Sequence, residues 1–162
     1  MVETYLAIAS KRDVRDYATT PIPRDVRDRI LDAGRVSGSS RNTQKWEFVV
    51  VSSTAQERLA DAVYAPENVR AATLVVAIVG EAFPFDVGRC SQNMMLAGWA
   101  EGVGSCPNGV RDPDAAAEIC GGPVKSVISF GYPAKVRGER SAEEWSAAAD
   151  RKPLAELVRE VS

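Results

Sequence analysis

Apolar positions in this chain recur with a helical period in some stretches and run almost unbroken in others. In residues 3–11 Tyr5, Leu6, Ile8 and Ala9 share one helical stripe, and in 24–34 Val26, Ile30, Leu31 and Ala33 do so ahead of Gly34. Both stretches predict helices with one buried face, separated by Pro21 and Pro23. Residues 47–52 are short and β-rich, 54–63 are amphipathic, and 74–80 (LVVAIVG) form a continuous apolar run of strand length. Such a run predicts a central strand covered on both faces. In 85–101 Val87, Cys90, Met94, Leu96, Ala97 and Ala100 gather largely on one face, which predicts the main core helix. A glycine-rich loop over 102–110, a short helix over 114–120, a strand over 124–131 and helical pieces near 142–149 and 154–161 complete the pattern. Strands alternating with helices predict a layered α/β core in one domain spanning 1–162, without repeats, low-complexity tracts or linkers.

Composition removes whole classes of function. With 45% apolar and 26% charged residues and a net charge of −2, the chain is of globular type and lacks the basic footprint of a nucleic-acid binder. No apolar stretch approaches the roughly 20 residues of a membrane span, and the N-terminus shows no signal-peptide apolar region. The expectation is a cytoplasmic protein with neither a membrane nor a nucleic-acid partner. Cys90, Cys106 and Cys120 are odd in number and lack CxxC spacing, which points to buried reduced thiols, away from a disulfide framework or a zinc site. Histidine is absent altogether, which removes Ser-His and Cys-His nucleophile activation and the commonest metal ligand. Redox chemistry on a bound cofactor survives this cut, because there the protein supplies position and electrostatics, not a nucleophile. No catalytic side chain and no metal ligand are therefore assigned.

Four separated segments carry the remaining chemistry: KRDVRDY at 11–17, SGSSRNTQKWEFVVV at 37–51, GVGSCPNGV at 102–110 and GYPA at 131–134. The first places Lys11, Arg12 and Arg15 within five residues, and guanidinium groups can fork onto phosphate oxygens. The second sets the donors and acceptors of Ser39, Ser40, Asn42 and Gln44 before an apolar strand, with Trp46 as an apolar anchor. In GVGSCPNGV, Gly102 and Gly104 permit close backbone approach and Pro107 fixes the chain direction. Taken singly, these are also a solvated basic turn, a strand-leading loop of turn formers and a surface turn.

The order of a basic loop, then SSxNxQxW and a strand, then a late strand ending in Gly-Tyr-Pro, resembles the FMN-dependent nitroreductase family over roughly residues 5–160. The resemblance implies an α+β three-layer sandwich, a mixed central sheet flanked by helices, in an entwined homodimer with two flavins at the subunit interface. It implies a flavoprotein that passes hydride from NAD(P)H to nitro, quinone or similar acceptors by a ping-pong mechanism. Arg12 and Arg15, with Lys11, carry over as ligands of the FMN phosphate. Asp13 stands where the family most often has serine, and is expected at a ribityl hydroxyl or in the loop's geometry. Ser39, Ser40, Asn42 and Gln44 carry over as contacts to the flavin of the other subunit. Gly38 and Lys45 replace the family's usual prolines, which implies a looser loop. Pro107, Asn108 and Gly109 are expected along the flavin ring with a backbone N–H near N5, where neutral donation helps accept hydride. Asn68 and Arg70 are placed at the pyrimidine edge, and Arg151, beside Lys152, is expected to return to the phosphate.

Residues 81–84 (EAFP) replace the long helical excursion of the family, which implies an open pocket with poor acceptor selectivity. Two alternatives remain on the sequence. One is a flavin or deazaflavin binding module with little turnover. The other is the flavin-destroying, dimethylbenzimidazole-forming branch, suggested by RDVR and opposed by Asn42 and the short chain. No GxGxxG follows a strand, so a separate dinucleotide fold is unsupported.

Overall fold

The computed structural model describes residues 3–135 and 138–161. The chain divides into two compact units, Arg12–Val136 and the paired terminal segments Met1–Lys11 with Arg137–Ser162.

The larger unit is built on four strands, β1 (Glu47–Val50), β2 (Leu74–Val79), β3 (Gly104–Asn108) and β4 (Val124–Gly131). They lie in the order β1-β2-β4-β3, every ladder antiparallel. All six residues of β2 are buried, and their alternation explains why. Val75, Ala77 and Val79 face one apolar layer with Leu59, Val63 and Ala116. Leu74, Val76 and Ile78 face the other, with Ile30, Cys90, Met94, Ile128 and Phe130. The first layer is covered by α3 (Ser53–Asp61), the short α4 (Pro66–Arg70) and α6 (Pro113–Cys120). The second is covered by α2 (Arg24–Arg35) and α5 (Pro84–Ala100), which pack on each other. Each fully buried side chain of this size contributes roughly 1.5–3 kcal/mol. Tertiary packing of this kind, not helix propensity, therefore holds α5, whose interior carries Gly88 and Gly98.

The α+β sandwich is the expected one, with three differences of detail. Residues 104–108 form β3, not part of a loop. Gly104 and Pro107 read as breakers, yet β3 is an edge strand, where a proline costs no ladder bond if its missing N–H faces outward. The five-residue α4 has too few positions to show a period. Among the described residues the parallel component of the sheet is one isolated bridge, Asp13 to Ser105.

In the terminal unit α1 (Thr4–Ser10) packs on α7 (Ala142–Ala147). Glu3 caps α1 by accepting the N–H groups of Tyr5 and Leu6, and Ser141 and Glu144 form a reciprocal capping box on α7. Trp145 is buried, with the Arg140 guanidinium 5.0 Å from its ring centre. Helix α8 (Leu154–Leu157) is shorter than the helical piece expected there, and Leu154 and Leu157 are exposed. No helix among the described residues is long and apolar enough to cross a membrane.

Candidate functional site

The basic loop is stitched to one end of the sheet. Val14 N–H donates to Ser105 O at 3.0 Å, Ala18 N–H to Tyr132 O at 2.8 Å and Ala134 N–H to Asp16 O at 3.0 Å. Tyr17 is the plug. Its buried phenol donates to Val14 O at 2.6 Å and lies 3.1 Å from Ser129 Oγ. Burial drives this phenol well above its ordinary pKa, against the opposing effect of Ser129, so it is a fixed hydrogen-bond donor. Two glycines permit the fit. A β-carbon on Gly104 would stand 2.7 Å from Val14, and one on Gly131 2.8 Å from the Tyr17 ring. Arg15 projects from this anchored loop with its side chain 63% exposed, and the Asp13 carboxylate lies 3.8 Å from its Nη2. Exposed pairs of that length are weak, so the loop keeps a usable cation and Asp13 shapes it.

The same strand edge continues past the loop. Ser105 uses its outward carbonyl on Val14. The alternation of an antiparallel strand then turns the next outward position to Pro107, which has no N–H, and the following one to Gly109. Gly109 O accepts from Tyr64 N–H at 3.0 Å, while its own N–H has no partner among the described residues. Four residues of strand separate Ser105 from Gly109, about 13 Å. An elongated ligand with an anionic end thus finds cations at one end of this edge and a backbone donor at the other. The Asn108 side chain turns the opposite way. It is 6% exposed, and Nδ2 donates to Cys106 O at 3.0 Å and to Ser129 Oγ at 3.2 Å. Its Oδ1 and the Ser105 hydroxyl are buried without a partner among the described residues. Asn68 on α4 reaches the strand, with Nδ2 3.8 Å from Cys106 Sγ.

Arg70 lies among acids of its own unit. Its guanidinium is spent on Glu57 at 3.2 Å, Glu67 at 2.8 Å and Asp61 at 2.5 Å, and a cation shared by three carboxylates has no free fork for a ring edge. Arg151, in the terminal unit, donates to Ala149 O at 2.8 Å, and Lys11 is the C-cap of α1.

The hydroxyl and amide segment lies at the other end of the sheet. Glu47 opens β1 opposite Val79, and Val79 pairs with Val124, whereas Tyr17 sits at Gly131. Seven strand residues apart is about 24 Å, so one chain does not bring its two polar loops together. Ser39 Oγ accepts Gln44 N–H at 3.0 Å, and Gln44 Nε2 donates to Asn42 Oδ1 at 3.0 Å. Arg41, Asn42 and Gln44 all have positive φ, at 52°, 55° and 46°. The looser loop implied by Gly38 is not what forms. Asp86 Oδ2 accepts Ser40 N–H at 2.9 Å, Asn93 Nδ2 donates to Ser37 Oγ at 2.7 Å, and the Arg89 guanidinium occupies the space over Gly38, 2.5 Å from where a β-carbon would be.

Tyr17, Ser129 and Asp86 are structural determinants that sequence reasoning passed over. Tyr17 closes the basic motif itself, and Asp86 reads as an ordinary acid in a first helical turn.

The fold is that of a known class. The sequence model of the Nitroreductase family matches residues 8–83 and 79–132. The chain is 30% identical over 152 residues to a Methanothermobacter thermautotrophicus protein named "Putative NADH dehydrogenase/NAD(P)H nitroreductase", covering 83% of this chain and 79% of that one. It is similar in structure to an FMN-dependent nitroreductase of Clostridium difficile R20291, with TM-score 0.77, 20% identity and coverage of 90% and 96% of the two chains. It is also similar to an NADPH:FMN oxidoreductase of Vibrio harveyi complexed with NAD+, with TM-score 0.82, 20% identity and coverage of 96% and 76%. At such identities the structures bear on the fold. The chain belongs to the nitroreductase family.

Proposed function

We propose that the protein is an FMN-dependent oxidoreductase that carries hydride from NAD(P)H to nitro, quinone or similar acceptors, as a homodimer with each site built from two chains. The observation that carries the reading is the outer edge of β3, with Arg12 and Arg15 at one end and at the other the Gly109 N–H, unpaired among the described residues. The donor set fits a flavin mononucleotide: guanidinium groups for a phosphate, polar groups along the edge for a ribityl chain, and a neutral N–H for the ring. Bound FMN would supply the two-electron acceptor and donor, so that nicotinamide and oxidant use one site in turn.

In this chain Arg12 and Arg15 would bind and orient the phosphate, and Asp13 would hold the loop in shape. Pro107, Asn108 and Gly109 would lie along the ring, with Asn68 near its edge. Ser39, Ser40, Asn42 and Gln44 would serve the site of a second copy, because the sheet keeps them about 24 Å from their own basic loop. The family likeness of a nitroreductase relative and FMN-dependent structural neighbours supports the same assignment.

A second reading is a flavin-binding module with little turnover. The observation in its favour is the short passage from Val79 to Pro84, which leaves Phe83 and Phe85 exposed. Purified protein reconstituted with FMN, reduced anaerobically by NAD(P)H and then challenged with a quinone decides between them. Bleaching and return of the visible flavin absorbance with each reagent is expected, and a dimer by light scattering. A bound flavin that never bleaches makes the module reading correct, and a monomer with stoichiometric flavin overturns the shared site.

A further inference from the structure

We propose that Asp86 is the positioning residue that holds the 39–44 loop in its binding shape, a role that rests on the flavin reading above. Asp86 is 4% exposed and makes no ion pair among the described residues. A carboxylate buried in that way needs compensation. It has two sources: its place in the first turn of the 17-residue α5, where helix N–H groups and the macrodipole favour an anion, and the Ser40 N–H at 2.9 Å.

The loop it grips cannot be assumed to hold itself. Arg41, Asn42 and Gln44 are all left-handed, a conformation that residues with a β-carbon adopt reluctantly. The ties inside the loop, Ser39 Oγ to Gln44 N–H and Asn42 Oδ1 to Gln44 Nε2, join the half-buried Ser39 and the exposed Asn42 and Gln44 to one another. Asp86 supplies the tie from a rigid element. On the same helix, Asn93 grips Ser37 and Arg89 lies over Gly38. Positions 86, 89 and 93 fall at i, i+3 and i+7, so one face of α5 is the template against which residues 37–40 are laid. The charged bond at 86 sits nearest the strained residues. Losing it frees the backbone that aims Asn42 and Gln44, while the chemistry at a flavin held elsewhere by Arg12 and Arg15 is untouched.

The test compares Asp86→Ala, Asp86→Asn and Asp86→Glu with the wild type. Amide hydrogen exchange at residues 40–44, cleavage by trypsin after Arg41, and FMN affinity by fluorescence are read side by side. In D86A, exchange and cleavage at the loop should accelerate and the FMN dissociation constant should rise by roughly tenfold to a hundredfold, as for loss of a hydrogen bond to a charged group. Exchange in β2 and β4 should not change. At saturating FMN, the rate of reduction by NAD(P)H should stay within about twofold, a loss in binding without a loss in the chemical step. D86N keeps an oxygen for the Ser40 N–H and should recover most of the protection and affinity. D86E keeps the charge but moves the oxygen, and should behave like D86A. Unchanged exchange at Ser40 in D86A overturns the proposal, and so does a D86N variant as weak as D86A. If D86A does not fold, the order of D86N above D86E decides, and the reverse order overturns it. A wild type that binds no FMN refutes the flavin reading, while loop exchange still tests what Asp86 does.

Discussion

The ring of Tyr17 occupies the space that a side chain at Gly131 would fill. A β-carbon there would come within 2.8 Å of Tyr17 Cγ and Cδ1. The basic loop is therefore seated by an aromatic plug against a strand end. Gly131→Ala should displace the ring and cost about 1–3 kcal/mol, as overpacking a tight site does. Thermal unfolding measures that loss. Flavin affinity should fall with it, and a variant of unchanged stability and affinity would mean that the loop is anchored by its backbone bonds alone.

Arg12→Ala and Arg15→Ala should each weaken FMN binding without unfolding the protein. Losing one hydrogen bond to a charged group costs about 1.5–3 kcal/mol, or roughly 10- to 150-fold in affinity. Titration by flavin fluorescence reads the effect. Affinity unchanged in both would move the phosphate site away from this loop.

Arg70→Ala should lower the urea midpoint while leaving flavin affinity within about twofold. Its partners Glu57, Asp61 and Glu67 would be left facing one another without their shared cation. The destabilisation should shrink as salt is added, since these groups are close to solvent. A large loss of FMN affinity with unchanged stability would return Arg70 to the ring edge.

With no histidine, stability and flavin reduction should vary little from about pH 6 to 8 through side chains. The alkaline side is different. Burial pushes the Cys90 thiol from 9.0 up to about 12 and raises Cys120 in the same direction. Between those values the unfolded chain gives up a proton that the folded chain keeps. Stability at Cys90 is thus complete below pH 9 and is lost as pH rises toward 12, by about 1.4 kcal/mol per unit for one thiol. Urea unfolding at pH 8, 9.5 and 11 should show this decline, shallower in Cys90→Ala. Equal slopes would place the alkaline transition on other groups.

The long helices and the two inner strands were legible because their apolar spacing is dictated by two-sided burial. Met94, Ile30 and Val76 have few other places to go. Strand β3 was hidden because what makes GSCPN a strand is its antiparallel ladder with β4 and a position at the sheet edge that tolerates Pro107, neither visible locally. The candidate site was legible in its charges and hydroxyls, and illegible in what holds them. Arg70 resembles a ligand anchor until Glu57 and Asp61 fold beside it, and the contact between Asp86 and Ser40 spans 46 residues.

Pro107 has a consequence outside the site. The outer edge of β3 is taken up by the basic loop at Ser105, lacks a donor at 107, and meets Val63 at Val110. No extended peptide can zip along it. The outer edge of β1 carries no such guard among the described residues and is short, four residues beginning at the charged Glu47. Strand-to-strand recruitment, whether into an ordered assembly or into an aggregate, has one address on this sheet, and it lies at the margin farthest from the cations.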